Sequence, residues 1–192
     1  MTRANESIRL LADRLSTRTA RDVAASTPTE RAAVALVIRP GGDLLFIRRS
    51  EREGDPWSGH MAFPGGRMEQ ADRSTEVTAA RETWEEVGLS LAGARLLGRL
   101  DDLESPSVIQ RRRLVISAHV WVVDHDPVLV PNEEVAAVHW LSMDQLVSGE
   151  GRGEFAYHWR GQQMDLPIVR LGGTDIWGIT LRIVDDLVER LG

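Results

Sequence analysis

The sequence predicts an α/β layered domain built around a mixed sheet. Three observations carry this: apolar, branched runs of strand length recur along the chain, helical patterns lie between and after them, and glycine-centred turns join two pairs of runs into hairpins. A chain of 192 residues with 42% apolar and 27% charged residues suits one domain with a full core.

In chain order, residues 5–22 have apolar positions at helical spacing, interrupted by Glu6 and Asp13, and predict an amphipathic first helix. "STPTE" (26–30) reads as a linker, so residues 1–30 form a helix and linker ahead of a domain at 31–192. "AAVALVIRP" and "DLLFIRRS", separated by Gly-Gly, predict a hairpin whose first strand is largely buried. A polar loop, "EREGDPWSG", leads to "HMAF", after which Pro-Gly-Gly predicts a stop and a turn. Ser74 or Thr75 is placed to cap a helix ending at Val87, with Gly88 as its C-terminal stop. Strand-like runs follow at "ARLLGRLDDL", "RLVISAHVWVV" and "VAAVHWL", then a short helix at "SMDQLVSG". "EFAYHW" and "MDLPIVRL" predict a second hairpin around Gly161, and "DIWGITLRIVDDLVERL" a closing amphipathic helix.

Composition narrows the function classes. Cysteine is absent, which excludes disulfides and thiolate metal sites and is in keeping with a cytoplasmic protein. The net charge of −6 argues against broad nucleic-acid binding. No apolar run approaches bilayer length, so no membrane association is expected. The N-terminus has some Arg and Ser/Thr, as transit peptides do, but the amphipathic helix is the preferred reading. All 23 basic residues are Arg, which rules out Schiff-base chemistry and a P-loop lysine.

The chemistry concentrates in "RETWEEVG" (81–88). On a helical wheel with about 100° per residue, Glu82, Glu85 and Glu86 share one face, while Val77, Ala80, Trp84 and Val87 fall opposite as a stripe for the core. Arg81 stands one turn from Glu85 and is placed to orient it. Clustered carboxylates repel one another unless a cation is bound, and oxygen-only ligands favour Mg²⁺ or Mn²⁺ over Zn²⁺. E-x-x-E-E alone is commonly a solvated helix face. The flanking Arg81, Gly88 and Pro-Gly-Gly turn make the pattern far more specific.

With those flanks the stretch resembles the Nudix box, G-x5-E-x7-R-E-U-x-E-E-x-G-U with U bulky and aliphatic, a signature of hydrolases that cleave nucleoside diphosphates linked to another moiety. The match covers Arg81, Glu82, Glu85, Glu86, Gly88 and Leu89, with Thr83 departing at the first U. The upstream acid is displaced: Arg73 stands seven residues before the helix motif, and the acid counted from Gly66 is Asp72, giving G-x5-D-x8-R-E. That spacing is similar to the coenzyme A pyrophosphatase branch, whose upstream signature resembles L-L-T-x-T-[SA]-x3-R-x3-G-x3-F-P-G-G. Leu44, Leu45 and Gly59-x3-Phe63-Pro64-Gly65-Gly66 match it; Phe46 and Arg48 replace its threonines and Asp55 its arginine. "DIWGIT" is similar to a W-G-[LIM]-T segment of the same branch. The resemblance covers roughly residues 31 to 190.

The resemblance implies an α/β/α sandwich around a mixed sheet, here with an additional N-terminal helix, and metal-assisted hydrolysis of a small nucleotide substrate. It implies Glu82 and Glu86 as metal ligands with Glu85 completing the cluster, Glu82, Glu85 and Arg81 in catalysis, and a general base or further ligand from Glu133 or Glu134 outside the box. Pro64, Gly65, Gly66 and Asp72 would shape the loop, with Gly65 and Gly66 lying against substrate. Arg49 and Arg67, ahead of Arg48 and the "RRR" run at 111–113, are the candidates for phosphate recognition, and Trp57 for stacking on adenine. His60, His119, His139 and His158 are expected to be structural. Coenzyme A or its acyl derivatives lead as substrate; ADP-ribose or another nucleoside diphosphate derivative is the alternative, and a non-catalytic nucleotide-sensing module a third. Homodimerisation is compatible with the chain, and no sequence feature speaks for or against it.

Overall fold

The computed structural model describes residues 3–23, 29–55, 57–106, 113–159 and 161–191. The elements run α1 (Arg3–Thr17), β1 (Thr29–Ile38), β2 (Asp43–Arg49), β3 (Met61–Ala62), β4 (Gly65–Arg67), α2 (Thr75–Val87), β5 (Arg95–Arg99), β6 (Leu103–Pro106), β7 (Arg113–Val122), β8 (Val135–Ser142), α3 (Met143–Ser148), β9 (Arg152–Trp159), β10 (Gln162–Leu171), β11 (Thr174–Trp177) and α4 (Gly178–Glu189).

β1 is the axis of an eight-stranded mixed sheet. It runs parallel to β7 along its whole length, Thr29 opposite Arg113 and Ile38 opposite Val122. It pairs with β2 only at the hairpin end, Ile38 opposite Leu44. Past that point the two strands part, and the short β3 and β4 fill the gap: β3 pairs with β2, and β4 lies antiparallel to β1 with Ala33 opposite Gly66. Strand alternation then feeds two cores. Leu36, Ile38, Leu44, Phe46, Ile116 and Val120 point to one face, where α1, α3 and α4 pack; Ala33, Ala35, Val37, Leu45, Ile47 and Trp121 point to the other, beneath α2. The expected layering of helices on both faces of a mixed sheet is what the chain adopts.

Four local expectations are corrected. Pro-Gly-Gly does not end regular structure, because Gly65–Arg67 is strand β4. "DIWGIT" is strand before helix: β11 ends at Trp177, and Gly178 at φ 63 turns the chain into α4. The first helix stops at Thr17, where Ser16 and Thr17 hydroxyls bond the Asp13 carbonyl. The remainder, through Val23, is held on the sheet by Asp101 and Asp102.

The fourth correction concerns α2. Its ends are as expected: Ser74 caps the start by accepting from Val77 N–H, and Gly88 closes it at φ 68. Its buried face is different. Val87 is buried and Ala80 half-buried, but Val77 is 44% and Trp84 59% exposed; Thr78, Ala79, Thr83 and Glu86 go inward instead. The helix lies close over small residues of β1 and β4, which favours small side chains at the contact. The two threonines enter with their polar atoms satisfied, Thr83 on the Ala79 carbonyl (2.7 Å) and Thr78 on Asp72 (3.0 Å). Of the predicted stripe, Val87 and Ala80 pack against the core, while Val77 and Trp84 face outward.

Candidate active site

Two glycines let β4 pass between β1 and α2. A Cβ on Gly65 would sit 2.3 Å from the Ala33 carbonyl oxygen, and one on Gly66 2.4–2.7 Å from the Glu82 carboxylate atoms. This close passage brings the Gly65 N–H to Glu86, whose Oε2 accepts it at 2.8 Å. Pro64 places its carbonyl on Ala35 N–H (2.8 Å), and Phe63 stacks on Phe46 (4.5 Å) in the core. The Phe-Pro-Gly-Gly run thus anchors at Phe63, bonds β1 at Pro64 and passes under the acidic helix at Gly65 and Gly66.

Arg81 is the hub of the helix. It grips Asp72 with two nitrogens (3.2 and 3.0 Å), donates to the Arg67 carbonyl (3.1 Å), and meets Glu82 (3.0 Å) and Glu85 (2.9 Å). Asp72 also accepts from Glu69 N–H (2.9 Å) and the Thr78 hydroxyl. Hydrogen bonding from Arg81, above all, outweighs the burial of Asp72 and holds its carboxyl down at about 2; the same pair raises Arg81. The displaced acid therefore fastens the loop to the helix.

The remaining acids are poorly compensated. Glu86 is 3% exposed, and burial raises its carboxyl to about 8; the Gly65 N–H and Arg49 work against that shift, Glu82 and Glu134 with it. Burial also raises Glu82, which is half-buried; Arg81 opposes this, while Glu85 and Glu134 add to it. Glu134 reaches this group through its loop. Asn132 N–H donates to the Glu86 carbonyl (2.9 Å), Asn132 Oδ1 accepts from Glu134 N–H (2.8 Å), and the Glu134 carbonyl accepts from Ser50 N–H (2.8 Å). Its carboxylate pairs with Arg52 (3.1 Å), a residue the sequence reading did not select. Glu133 is exposed, and the contacts that bring the loop to α2 run through Asn132 and Glu134.

The two arginine candidates separate. Arg49 bonds Asp55 (3.0 Å) and keeps a buried Nε without a hydrogen-bond partner among the described residues. Burial raises the Asp55 carboxyl, but bonds from Trp57 N–H and Arg49 outweigh it and leave it lowered. Arg67 is exposed, pairs with Glu30 (3.6 Å) and lines a cavity of about 580 Å³ that Glu30, Arg31, Glu69 and Asp72 also line, so it opens beside the Asp72–Arg81 pair. Trp57 is 41% exposed on the loop beside Asp55. Arg48 lies within electrostatic reach of His139. Arg113 pairs with Glu104, and residues 111 and 112 lie outside the described residues. Of the histidines, His119 bonds Thr75 (2.9 Å), His60 packs against Trp177 with the rings tilted (centroids 4.7 Å apart) and His158 is exposed. His139 departs from expectation, with a buried Nε2 that has no partner among the described residues.

As the side chains stand, no three His, Cys, Asp or Glu groups among the described residues converge enough to enclose a metal ion. Arg81 draws Glu82 and Glu85 to itself. The donor set nevertheless fits a divalent cation. Glu82, Glu86 and Glu134 act electrostatically on one another, burial disfavours the charge on two of them, and every side-chain donor is an oxygen. Glu85, with a side chain 50% exposed, has room to turn from Arg81 toward such an ion.

A family model described as the NUDIX domain matches residues 28–159. The Schizosaccharomyces pombe protein C14C4.10c is 38% identical over 111 residues, 56% of this chain and 34% of that protein. The human mitochondrial coenzyme A diphosphatase NUDT8 is 30% identical over 151 residues, 77% of this chain and 62% of that one. The chain thus spans about a third and under two thirds of the lengths of these two relatives. The Nudix hydrolase NudL of Yersinia pestis is 29% identical over 170 residues, 86% of this chain and 82% of that protein. Among solved structures, the NUDIX domain of Shewanella oneidensis NrtR, complexed with ADP ribose, superposes with a TM-score of 0.56 at 16% identity over all of both chains. A bifunctional NMN adenylyltransferase/ADP ribose pyrophosphatase from Francisella tularensis gives 0.59 at 20% identity, covering 98% of this chain and 46% of that one. At these identities the two structures speak to the fold.

Proposed function

Since the chain belongs to the NUDIX domain family, we propose that it is a metal-dependent hydrolase of a diphosphate bond whose substrate is coenzyme A or an acyl-coenzyme A. The products are 3′,5′-ADP and phosphopantetheine or its acyl derivative. The observation that carries the reading is the buried Glu86 and half-buried Glu82, poorly compensated and within electrostatic reach of Glu134, beside a loop of two glycines.

Glu82 and Glu86 would hold Mg²⁺ or Mn²⁺, with Glu85 as a further ligand. When bound, the ion supplies Lewis-acid neutralisation of the phosphate oxygens and favours deprotonation of water. Glu134 accepts the proton of the attacking water; the water oxygen bonds to one phosphorus, the bridging P–O bond breaks, and each product leaves as a phosphate monoester. Arg81 positions Glu82 and Glu85, and Asp72 fixes Arg81. The backbone at Gly65 and Gly66 lies against the diphosphate, and the Arg49 guanidinium, with a side chain 31% exposed, offers it positive charge. Coenzyme A as substrate is supported by the D-x8-R spacing, the Gly59–Gly66 signature and the printed activity of the human relative. Neither a nucleic-acid nor a membrane partner is part of the proposal, and no helix among the described residues is long and apolar enough to cross a membrane.

One observation favours a second reading. Asp55 stands where the coenzyme A-like signature has arginine, and it occupies Arg49 instead of adding a cation. Such a change suits a substrate without a 3′-phosphate, such as ADP-ribose. Steady-state assays with Mg²⁺ across coenzyme A, acyl-coenzyme A, ADP-ribose and dinucleoside polyphosphates decide between them. The highest kcat/KM is expected for a coenzyme A species, with activity abolished by a chelator; rapid ADP-ribose turnover beside negligible coenzyme A turnover would establish the second reading.

A further inference from the structure

The small sheet of β9, β10 and β11 has an apolar face that neither core uses. Partners across an antiparallel pair share a face. Val169 and Ile176, opposite each other, enter the larger core with Leu171. The alternate set carries Phe155 opposite Leu166, Tyr157 opposite Met164, and Ile168 opposite Trp177. A sheet with one face in the core ordinarily presents polar side chains on the other. Here the only Tyr of the chain and one of its three Phe stand beside a Trp.

Ring centroids of Phe155 and Tyr157 lie 5.3 and 5.4 Å from that of Trp177, and His60 completes the group at 4.7 Å. Phe155, Tyr157 and Trp177 are half-buried, and Met164 beside them is 39% exposed. His60 ties this face to the acidic site. Its carbonyl accepts from Arg49 N–H (3.0 Å), and the Arg49 guanidinium lies within electrostatic reach of both His60 and Glu86. Gly65 lies five positions after His60, a span of at most about 18 Å of chain.

We infer that the Phe155–Tyr157–Trp177 face, with His60 at its edge, is the subsite that takes the adenine base of the substrate, held by stacking while the diphosphate lies at Gly65–Gly66 and Arg49. The direction of the substrate along this line rests on the reading of the acidic site given above. Aromatic faces suit a nucleobase because every base has a π-face, and each stacked base changes affinity by about 5- to 100-fold. The signature Trp of "DIWGIT" then has a role in binding, distinct from the apolar Ile176 beside it, which fills the core.

Calorimetric titration tests the subsite with three probes: 3′,5′-ADP, AMP and 4′-phosphopantetheine. Trp177→Leu keeps apolar volume and removes the ring. Phe155→Leu carries the same test if the first variant does not fold, as judged by circular dichroism. We expect the Kd for 3′,5′-ADP and AMP to rise by about 5- to 100-fold, with 4′-phosphopantetheine changed less than about twofold. Unchanged AMP binding in a folded variant overturns the subsite, as does selective loss of 4′-phosphopantetheine, which would put the pantetheine arm on the rings. AMP is common to coenzyme A and ADP-ribose, so failure of the coenzyme A reading leaves this measurement intact. Coenzyme A turnover by the wild type with AMP binding unaltered in both variants overturns the subsite alone.

Discussion

Two clusters of buried charge sit at different places on the same sheet, and they are built on opposite terms. At the junction of β5 and β6, Asp102 has a fully buried side chain and receives Ser117 Oγ (2.7 Å), Val23 N–H (3.2 Å) and Arg99, with Arg31 at 3.9 Å. Its neighbour Asp101 receives Arg21 N–H (2.8 Å), Arg18 (3.0 Å) and Arg190 (3.2 Å), and Arg190 also binds Asp186. Burial raises the Asp101 carboxyl, but these partners outweigh it and leave it low. In the α2 cluster, Arg81 is largely committed to Asp72, and Glu86 is driven up to about 8. Matched charge fastens the N-terminal segment and α4 to the sheet. Unmatched acid is unfavourable unless a cation is bound, which is the basis of the metal site proposed above.

That contrast breaks most visibly under paired substitutions. Asp102→Ala leaves Ser117 Oγ and Val23 N–H without their acceptor and Arg99 with Asp22 alone among the described residues, and should cost about 3–5 kcal/mol in denaturant unfolding, with little change in kcat per folded molecule. Glu86→Gln should do the reverse: loss of turnover exceeding about 100-fold, with stability at pH 7 within about 1 kcal/mol of wild type. A Glu86→Gln enzyme with normal rates would remove the metal assignment, and a stable Asp102→Ala would dissolve the contrast.

His119 lies between the two clusters, bonded to Thr75 at the start of α2 and within reach of Arg99 and Asp102. Burial, aided by Arg99 and opposed by Asp102, lowers it to about 4 from 6.5. A lowered folded-state value means the neutral form is favoured by folding. Its stability contribution is therefore complete above about pH 6.5 and is lost as pH falls toward 4, by up to about 3 kcal/mol. Chemical denaturation from pH 7 to pH 4 should show His119→Gln losing less stability than wild type; parallel curves would mean that His119 is charged in the folded state. The smallest effect is expected at Trp84, which the wheel placed in the core and the fold leaves outside: Trp84→Gln should shift stability by no more than about 0.5 kcal/mol, whereas a shift of several kcal/mol would restore the buried stripe.

Much of the site was legible because it lies within one helix and the turn before it. Glu82, Glu85 and Glu86 share a face by angular spacing alone, and Ser74 and Gly88 announce the helix ends. Glu134 was named as one of two loop acids; it is set apart from the exposed Glu133 by its bonds to Asn132 and Ser50 and its electrostatic reach to Glu82 and Glu86. Arg52 carried no signal, because its partner is 82 residues away in sequence. The buried face of α2 was misread because threonine hydroxyls bonded within the helix and its loop count as polar letters yet pack as small residues.

Local periodicity, capping chemistry and glycine placement determined the hairpins, the acidic helix and the oxygen-only character of its donors, since each depends on neighbours within a few residues. Tertiary structure alone decided that β4 slides between β1 and α2, that Glu86 and not Trp84 goes inward, and that an aromatic face at residues 155–177 is reached from Arg49 through His60. Those outcomes depend on how closely two surfaces approach, and a linear pattern carries no record of that distance.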